Sequence, residues 1–148
     1  MSHSPQIEVA IAILYTPQGF LMQLRDNIPG IIYPGCWGLF GGHLEPGETP
    51  ESALIRELNE EIGYQPATYT KFNFYADERV LRHVFAAPLV VDIKQLNLQE
   101  GWDFGLLTVA DIECGYCYSP VAQQVRPLGK VHQRIMLDFT ERSPSIQT

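Results

Sequence analysis

An α+β fold, arranged as an α/β/α sandwich around a mixed sheet, is predicted by three features of this sequence. Two apolar runs near the N-terminus are joined by a tight turn. One strongly amphipathic helical segment follows a Gly-Gly pair. The later strand-like runs come in succession instead of alternating with helices, which argues against a doubly wound βαβ array.

Each element has a local reason. Ile7 to Tyr15 is rich in Ile, Val and Ala and reads as a buried strand. Thr16-Pro17-Gln18-Gly19 is a turn, and Phe20 to Leu24 answers as the second strand of a hairpin. Asp26 to Gly35 holds two prolines and two glycines and is a loop; Trp37 to Phe40 is a short strand running into Gly41-Gly42. The strong helix follows. Thr49 suits the N-cap, Pro50 the first helical position and Gly63 the C-terminal cap. Leu54, Leu58 and Ile62 recur every four residues, a core-facing stripe. Thr68 to Ala76 and Val80 to Val91 read as strands joined by a turn near Asp77-Glu78, and Trp102 to Leu107 as a last strand. Val131, Ile135 and Phe139 mark a C-terminal helix, with Pro127 ahead of it.

Length and charge narrow the function. A chain of 148 residues is expected to form one domain, spanning 1–148, with a core that needs no disulfide or structural metal. No apolar run reaches membrane-spanning length, and MSHSPQIEVA lacks the basic and long apolar regions of a secretory signal, so a cytoplasmic protein without a membrane partner is expected. The net charge of −7 and the lack of a Lys/Arg cluster argue against long nucleic acid as a partner. An acidic protein repels anionic ligands unless cations intervene, which makes a divalent cation worth seeking. Three cysteines, Cys36, Cys114 and Cys117, do not suggest a disulfide framework. Cys114-Gly-Tyr-Cys117 is a lone CxxC: a zinc site would need further ligands and a redox site a thioredoxin-like setting, whereas two ordinary thiols need nothing more.

The chemistry concentrates between Gly41 and Tyr64, where six glutamates accompany a single arginine. On a helical wheel Glu57, Glu60 and Glu61 share an arc of roughly 100°, beside the arc of the apolar stripe. Like charges at that spacing cost a few tenths of a kcal/mol per pair, so helix stability alone does not call for them. Hard divalent cations do: Mg²⁺ takes carboxylate oxygens and leaves positions open for water and phosphate. Glu48 precedes the helix closely enough to fold back on it. Arg56 is four residues before Glu60 and suits a brace that orients the acidic set. Gly41-Gly42 allows close backbone approach, so a carbonyl there can reach the same cation. A solvated acidic helix face would explain Glu57 and Glu61, but not Gly42, Glu48, Arg56, Glu60 and Gly63 together.

This stretch resembles the signature of the Nudix hydrolase family, the MutT-like pyrophosphohydrolases: G-x5-E-x7-R-E-U-x-E-E-x-G-U, with U a bulky apolar residue. Gly42, Glu48, Arg56, Glu57, Leu58, Glu60, Glu61, Gly63 and Tyr64 fill it; only Tyr64 departs, standing where an aliphatic residue is usual. The motif spans 23 of the 148 residues, and the order of elements around it is similar to the family's. The resemblance implies hydrolysis of a nucleoside diphosphate linked to another group. It implies that Glu57, Glu60, Glu61 and the carbonyl of Gly41 hold Mg²⁺ or Mn²⁺. Glu48 and Glu57 would position or deprotonate water, with Arg56 orienting the set. Glu100, just before the expected last strand, is the choice for a further acidic residue outside the motif; a plain loop carboxylate is its bland reading.

The substrate is less legible. Arg25, at the end of the second strand, suits a phosphate contact or an ordinary surface arginine. Aromatic shelves for a base are sought among Tyr33, Trp37, Phe74, Trp102 and Phe104, any of which suits the core as well. Phe40 replaces the proline that often precedes Gly-Gly in the family, a variant also found in members that sanitise oxidised purine nucleotides. Trp37, Phe40, Trp102 and Arg25 are therefore taken as substrate-binding. His43 borders the site, and His83, in an apolar strand, reads as structural. A small-molecule nucleotide is the expected partner. A nucleoside triphosphate, oxidised or not, cut to monophosphate and pyrophosphate is preferred over a nucleotide sugar of the ADP-ribose or GDP-mannose type. An RNA 5′-end and a catalytically weak nucleotide sensor are further alternatives. Oligomeric state is not legible.

Overall fold

The computed structural model describes residues 6–142. Its centre is a seven-stranded mixed sheet. Strand β1 (Ile7–Thr16) forms a hairpin with β2 (Gly19–Leu24), but the two pair only next to their turn, from Leu14↔Leu21 to Thr16↔Gly19. Beyond that they diverge, and the chain from Trp37 fills the opening. Here the expected single strand Trp37–Phe40 proves to be two: β3 (Trp37–Gly38) pairs with β2, and β4 (Phe40–His43) pairs antiparallel with β1. Leu39 is the crossover between them. Gly41 sits in this strand at φ 152, and a Cβ there would strike the carbonyl of Ala10 on β1, so only glycine fits.

Helix α1 (Pro50–Ile62) begins and ends as its sequence demands. The Thr49 hydroxyl accepts from Ser52 N and the Ser52 hydroxyl accepts from Thr49 N, each at 3.1 Å, which satisfies two otherwise orphaned donors. Gly63 closes the helix in the left-handed conformation at φ 66. Ala53, Leu54, Leu58 and Ile62 are fully buried against Ala10, Ala12, Leu14, Phe40 and Phe85 on one sheet face. Each of the three large side chains contributes about 1.5–3 kcal/mol by leaving water. Tyr64, the departure from the motif, is buried too, and its hydroxyl donates to the Pro88 carbonyl at 3.0 Å. A phenol in place of an aliphatic side chain is tolerated because its one polar atom has a partner.

Strands β5 (Thr70–Ala76) and β6 (Val80–Pro88) follow, and β6 lies parallel to β1 along nearly its whole length. A 3₁₀ turn at Ile93–Gln95 precedes β7 (Asp103–Leu107), which pairs with β2. Two elements were not anticipated: α2 (Val109–Cys114) and a separate hairpin of β8 (Tyr116–Ser119) with β9 (Gln124–Pro127). Helix α3 (Lys130–Arg142) buries Ile135, Met136 and Phe139 on the second sheet face, with Ile11, Ile13, Phe20, Met22 and Val84. The result is an α/β/α sandwich, α1 on one side and α2 with α3 on the other. Among the described residues no helix is long and apolar enough to cross a membrane.

Candidate active site

The capped start of α1 and the β4 crossover bring the motif's parts together. Arg56 is the hub. Its Nε and Nη2 donate to the two oxygens of Glu48 at 2.8 and 2.9 Å, a bidentate fork. Its Nη1 donates to Glu57 at 3.0 Å and Glu60 at 3.2 Å, and Nη2 also reaches the His43 carbonyl at 3.0 Å. Glu48 accepts in addition from Glu45 N at 2.8 Å. The Arg56 fork, then this amide, hold the Glu48 carboxyl down at about 2.

Glu61 lies on the opposite side of the set. Among the described residues its only side-chain hydrogen bond is from Gly41 N, at 3.1 Å. Burial pushes its carboxyl up to about 8, aided by the charges of Glu57 and Glu100 and opposed by the Gly41 amide. Glu57 stands between the two regimes: burial raises its pKa and Arg56 pulls it back. A Cβ on Gly42 would occupy the space of the Glu57 carboxylate, which accounts for the glycine that opens the motif.

The sequence-predicted residues fare differently. Gly41 does meet Glu61, through its amide N–H. Glu100 is brought beside Glu61 in a recess of about 130 Å³ that Arg25 also lines. Arg25 donates through Nε to the Ile32 carbonyl at 2.7 Å and borders a second, larger cleft of about 270 Å³. The cleft lies between the N-terminal ends of β1 and β6, the start of α3 and the 31–33 loop, and it opens onto Gly41 and Gly42.

Three aromatic assignments do not fit these placements. Trp37 is 2% exposed and donates its indole N–H to the Cys117 carbonyl at 3.1 Å, and Phe40 is fully buried under α1. Neither presents a ring face to substrate. Trp102 packs against the core with Arg126 over its ring at 6.0 Å and does not line the cleft. Of the rings considered, Tyr33 is the one that lines it. Tyr33 adopts a left-handed backbone (φ 53), an uncommon state for a bulky residue, and meets His132 edge-on at 5.7 Å between centroids. His83 pairs with Glu8 at 2.8 Å, away from the site. His132 and Arg82 line the cleft without having been anticipated; the only sequence signal was a histidine beside the apolar stripe of the last helix.

The donor set fits a hard cation. It offers carboxylate oxygens, and among the described residues the half-buried Glu61 has no cationic partner at hydrogen-bond distance. Arg56 meanwhile engages Glu48, Glu57 and Glu60. Among the described residues no three His, Cys, Asp or Glu side chains are grouped so as to hold a metal ion by themselves. The cysteines are free, with Cys114 exposed and the Cys117 thiol pushed up to about 11 by burial and by Asp111.

A sheet flanked by helices, with an acidic helix braced by one arginine against a Gly-Gly strand, defines the class. The chain belongs to the NUDIX family, whose domain profile matches residues 5–138. It is 47% identical to the nucleoside triphosphatase NudI of Salmonella arizonae over 62 residues, 40% of this chain and 43% of that protein. It is also 34% identical to an ADP-ribose pyrophosphatase of Methanocaldococcus jannaschii over 85 residues, 56% of this chain and 48% of the other. The matches thus span about half or less of these curated relatives. A MutT structure from a study of Aliivibrio salmonicida and Vibrio cholerae shares the fold, with a TM-score of 0.72 at 19% identity, covering 93% of this chain and 99% of that one.

Proposed function

We propose that this protein hydrolyses the pyrophosphate bond of a nucleoside diphosphate linked to another group, and that a nucleoside triphosphate, cut to monophosphate and pyrophosphate, is its main substrate. The observation that carries this reading is the pairing of Glu57 with Glu61 beside Gly41, next to a cleft of about 270 Å³. The higher identity to a nucleoside triphosphatase, 47% over 62 residues, supports the triphosphate. A nucleotide sugar is the second reading, favoured by the match to an ADP-ribose pyrophosphatase. Intact glutamates and arginine weigh against a sensor that has lost catalysis.

Glu57, Glu60, Glu61 and the Gly41 carbonyl would hold Mg²⁺ or Mn²⁺. Such a cation, when bound, neutralises phosphate charge, polarises the phosphoryl oxygen and lowers the pKa of bound water. The chain's own part is positioning and proton transfer. Arg56 fixes the orientation of Glu48, Glu57 and Glu60 through four hydrogen bonds. Glu48, held near 2, is a poor proton acceptor and acts as a positioning residue. Glu57, with its raised pKa, takes the proton as a water oxygen bonds to phosphorus and the bond to the leaving phosphate breaks. Glu100 is a second carboxylate close enough to Glu61 to share that role. Arg25, at the junction of recess and cleft, meets the phosphates.

The test is hydrolysis of a panel of nucleoside triphosphates, 8-oxo triphosphates, ADP-ribose and GDP-mannose with Mg²⁺, followed as monophosphate and pyrophosphate or phosphate release. Turnover of triphosphates that stops with EDTA is expected. Turnover that survives EDTA would overturn the assignment of the glutamates.

A further inference from the structure

The cleft beside the glutamates carries more side-chain hydrogen-bond donors than acceptors. Among the described residues its polar side chains are Arg25, Arg82, His132, Tyr33 and His43; no carboxylate and no carboxamide lines it. Arginine only donates. Arg82 keeps one Nη on Asp77 at 3.0 Å, and Arg25 keeps Nε on the Ile32 carbonyl, which leaves each with further N–H groups.

His132 is also a donor, for a geometric reason. Leu39 N donates to its Nδ1 at 3.2 Å, so Nδ1 carries no proton and the neutral ring carries its proton on Nε2. Nε2 has no hydrogen-bond partner among the described residues. Since no buried side-chain nitrogen or oxygen is left unsatisfied there, Nε2 reaches the open side of the ring. The ring cannot readily turn. It lies over Gly38 and against Gly129, where added Cβ atoms would stand 3.4 and 3.1 Å from it, and Tyr33 closes its flank edge-on. Burial and the nearby Arg82 and Arg25 charges push the imidazole down to about 4, so it stays neutral at ordinary pH.

We infer that His132 is a specificity-determining residue, a fixed Nε2–H donor that, with Arg82, selects nucleotides whose base presents a carbonyl edge over those presenting an amino edge. Uracil, thymine and guanine meet that requirement; cytosine and adenine turn an amino donor toward donors. An unpaired donor facing a donor costs far more than one lost contact, because both groups have left water. The inference rests on the nucleotide reading of the site above.

Matched substrates test it. UTP and CTP differ only in the 4-carbonyl with N3–H against the 4-amino with bare N3; GTP and ATP differ in the same way at position 6 and N1, with an added 2-amino group on guanine. The wild type is expected to favour UTP over CTP, and GTP over ATP, by about tenfold or more in kcat/KM. His132→Asn can still accept from Leu39 N through its side-chain oxygen but loses the donor at the Nε2 position; it should flatten the preference, through KM more than kcat. His132→Gln retains a donor near that position and should keep the preference, even if it is less stable. Nitrogen NMR of the free wild-type protein should show the Nε2-protonated tautomer at pH 7. An Nδ1-protonated ring, equal use of UTP and CTP, or a preference unchanged in His132→Asn would overturn the inference. Hydrolysis confined to ADP-ribose would overturn it while sparing the pyrophosphate reading. Hydrolysis of nothing in the panel would overturn both.

Discussion

Glu48 and Glu61 are the same residue type in the same motif, yet one carboxyl is held near 2 and the other near 8. The difference lies in what each is given on leaving free solution. Glu48, half-buried, receives a guanidinium fork and a backbone amide. Glu61, also half-buried, receives one amide, no guanidinium, and faces two further carboxylates, so burial is what dominates its pKa. One end of the site is thus electrically settled and the other is poised to accept a cation. Glu57 belongs to both: Arg56 grips its Oε1, and its carboxylate fills the space left by Gly42.

The comparison can be broken or sharpened by substitution. The largest effect is expected at the shared residue: Glu57→Gln should lower kcat by about 10²–10⁴-fold while circular dichroism shows the fold intact. Glu100→Gln, measured alongside, should lose less if Glu57 is the main base; the reverse order would exchange their roles.

The next effect is on stability. In the metal-free protein Glu61 binds a proton up to about pH 8, whereas in the unfolded chain it releases it near 4.5. Between those values the folded state holds more protons than the unfolded one, so this group makes stability fall as pH rises. Glu61→Gln removes that penalty. Its Tm in EDTA should exceed the wild type's by a few degrees at pH 8.5 and match it near pH 4.5. A Tm difference that does not grow with pH would show that Glu61 is not held protonated. Added Mg²⁺ should narrow the gap by stabilising only the wild type strongly.

The smallest effect is expected at the settled end. Glu48→Gln should lower kcat about tenfold, as the loss of an orienting partner does. It should leave the shape of the pH–rate profile unmoved, because a group titrating near 2 lies outside the working range. A profile shifted by Glu48→Gln would mean that this carboxylate exchanges protons in the reaction.

Much of the fold was legible because its signals are local. The Thr49 cap, Pro50, Gly63 and the Leu54–Leu58–Ile62 stripe each act within a few residues, and the structure places all of them as expected. The strand runs were found for the same reason, with ends off by a few residues: β5 begins at Thr70 and not Thr68, and β6 stops at Pro88 and not Val91. Helix α2 was missed because it is only six residues long, too short for a periodic stripe. The β8–β9 hairpin was missed because it stands apart from the main sheet and exposes Tyr116, Tyr118 and Val125, so no apolar alternation announces a buried face. Trp37, Phe40 and Trp102 were read as substrate contacts because an aromatic ring carries no mark of whether it faces a core or a ligand. That depends on which element covers it.

The residue types of the site, their spacing on one helix and the glycines that let the backbone close in are properties of the sequence, since capping, helical periodicity and the absence of a Cβ operate over short distances. The opposed protonation of Glu48 and Glu61, the approach of Glu100 to Glu61 and the cleft made by Arg25, Tyr33, Arg82 and His132 were decided only by the tertiary structure. Burial and Coulomb interaction depend on distance in space, and these residues come from separate stretches of chain that meet only when β4 fills the gap between β1 and β2 and α3 closes over the sheet.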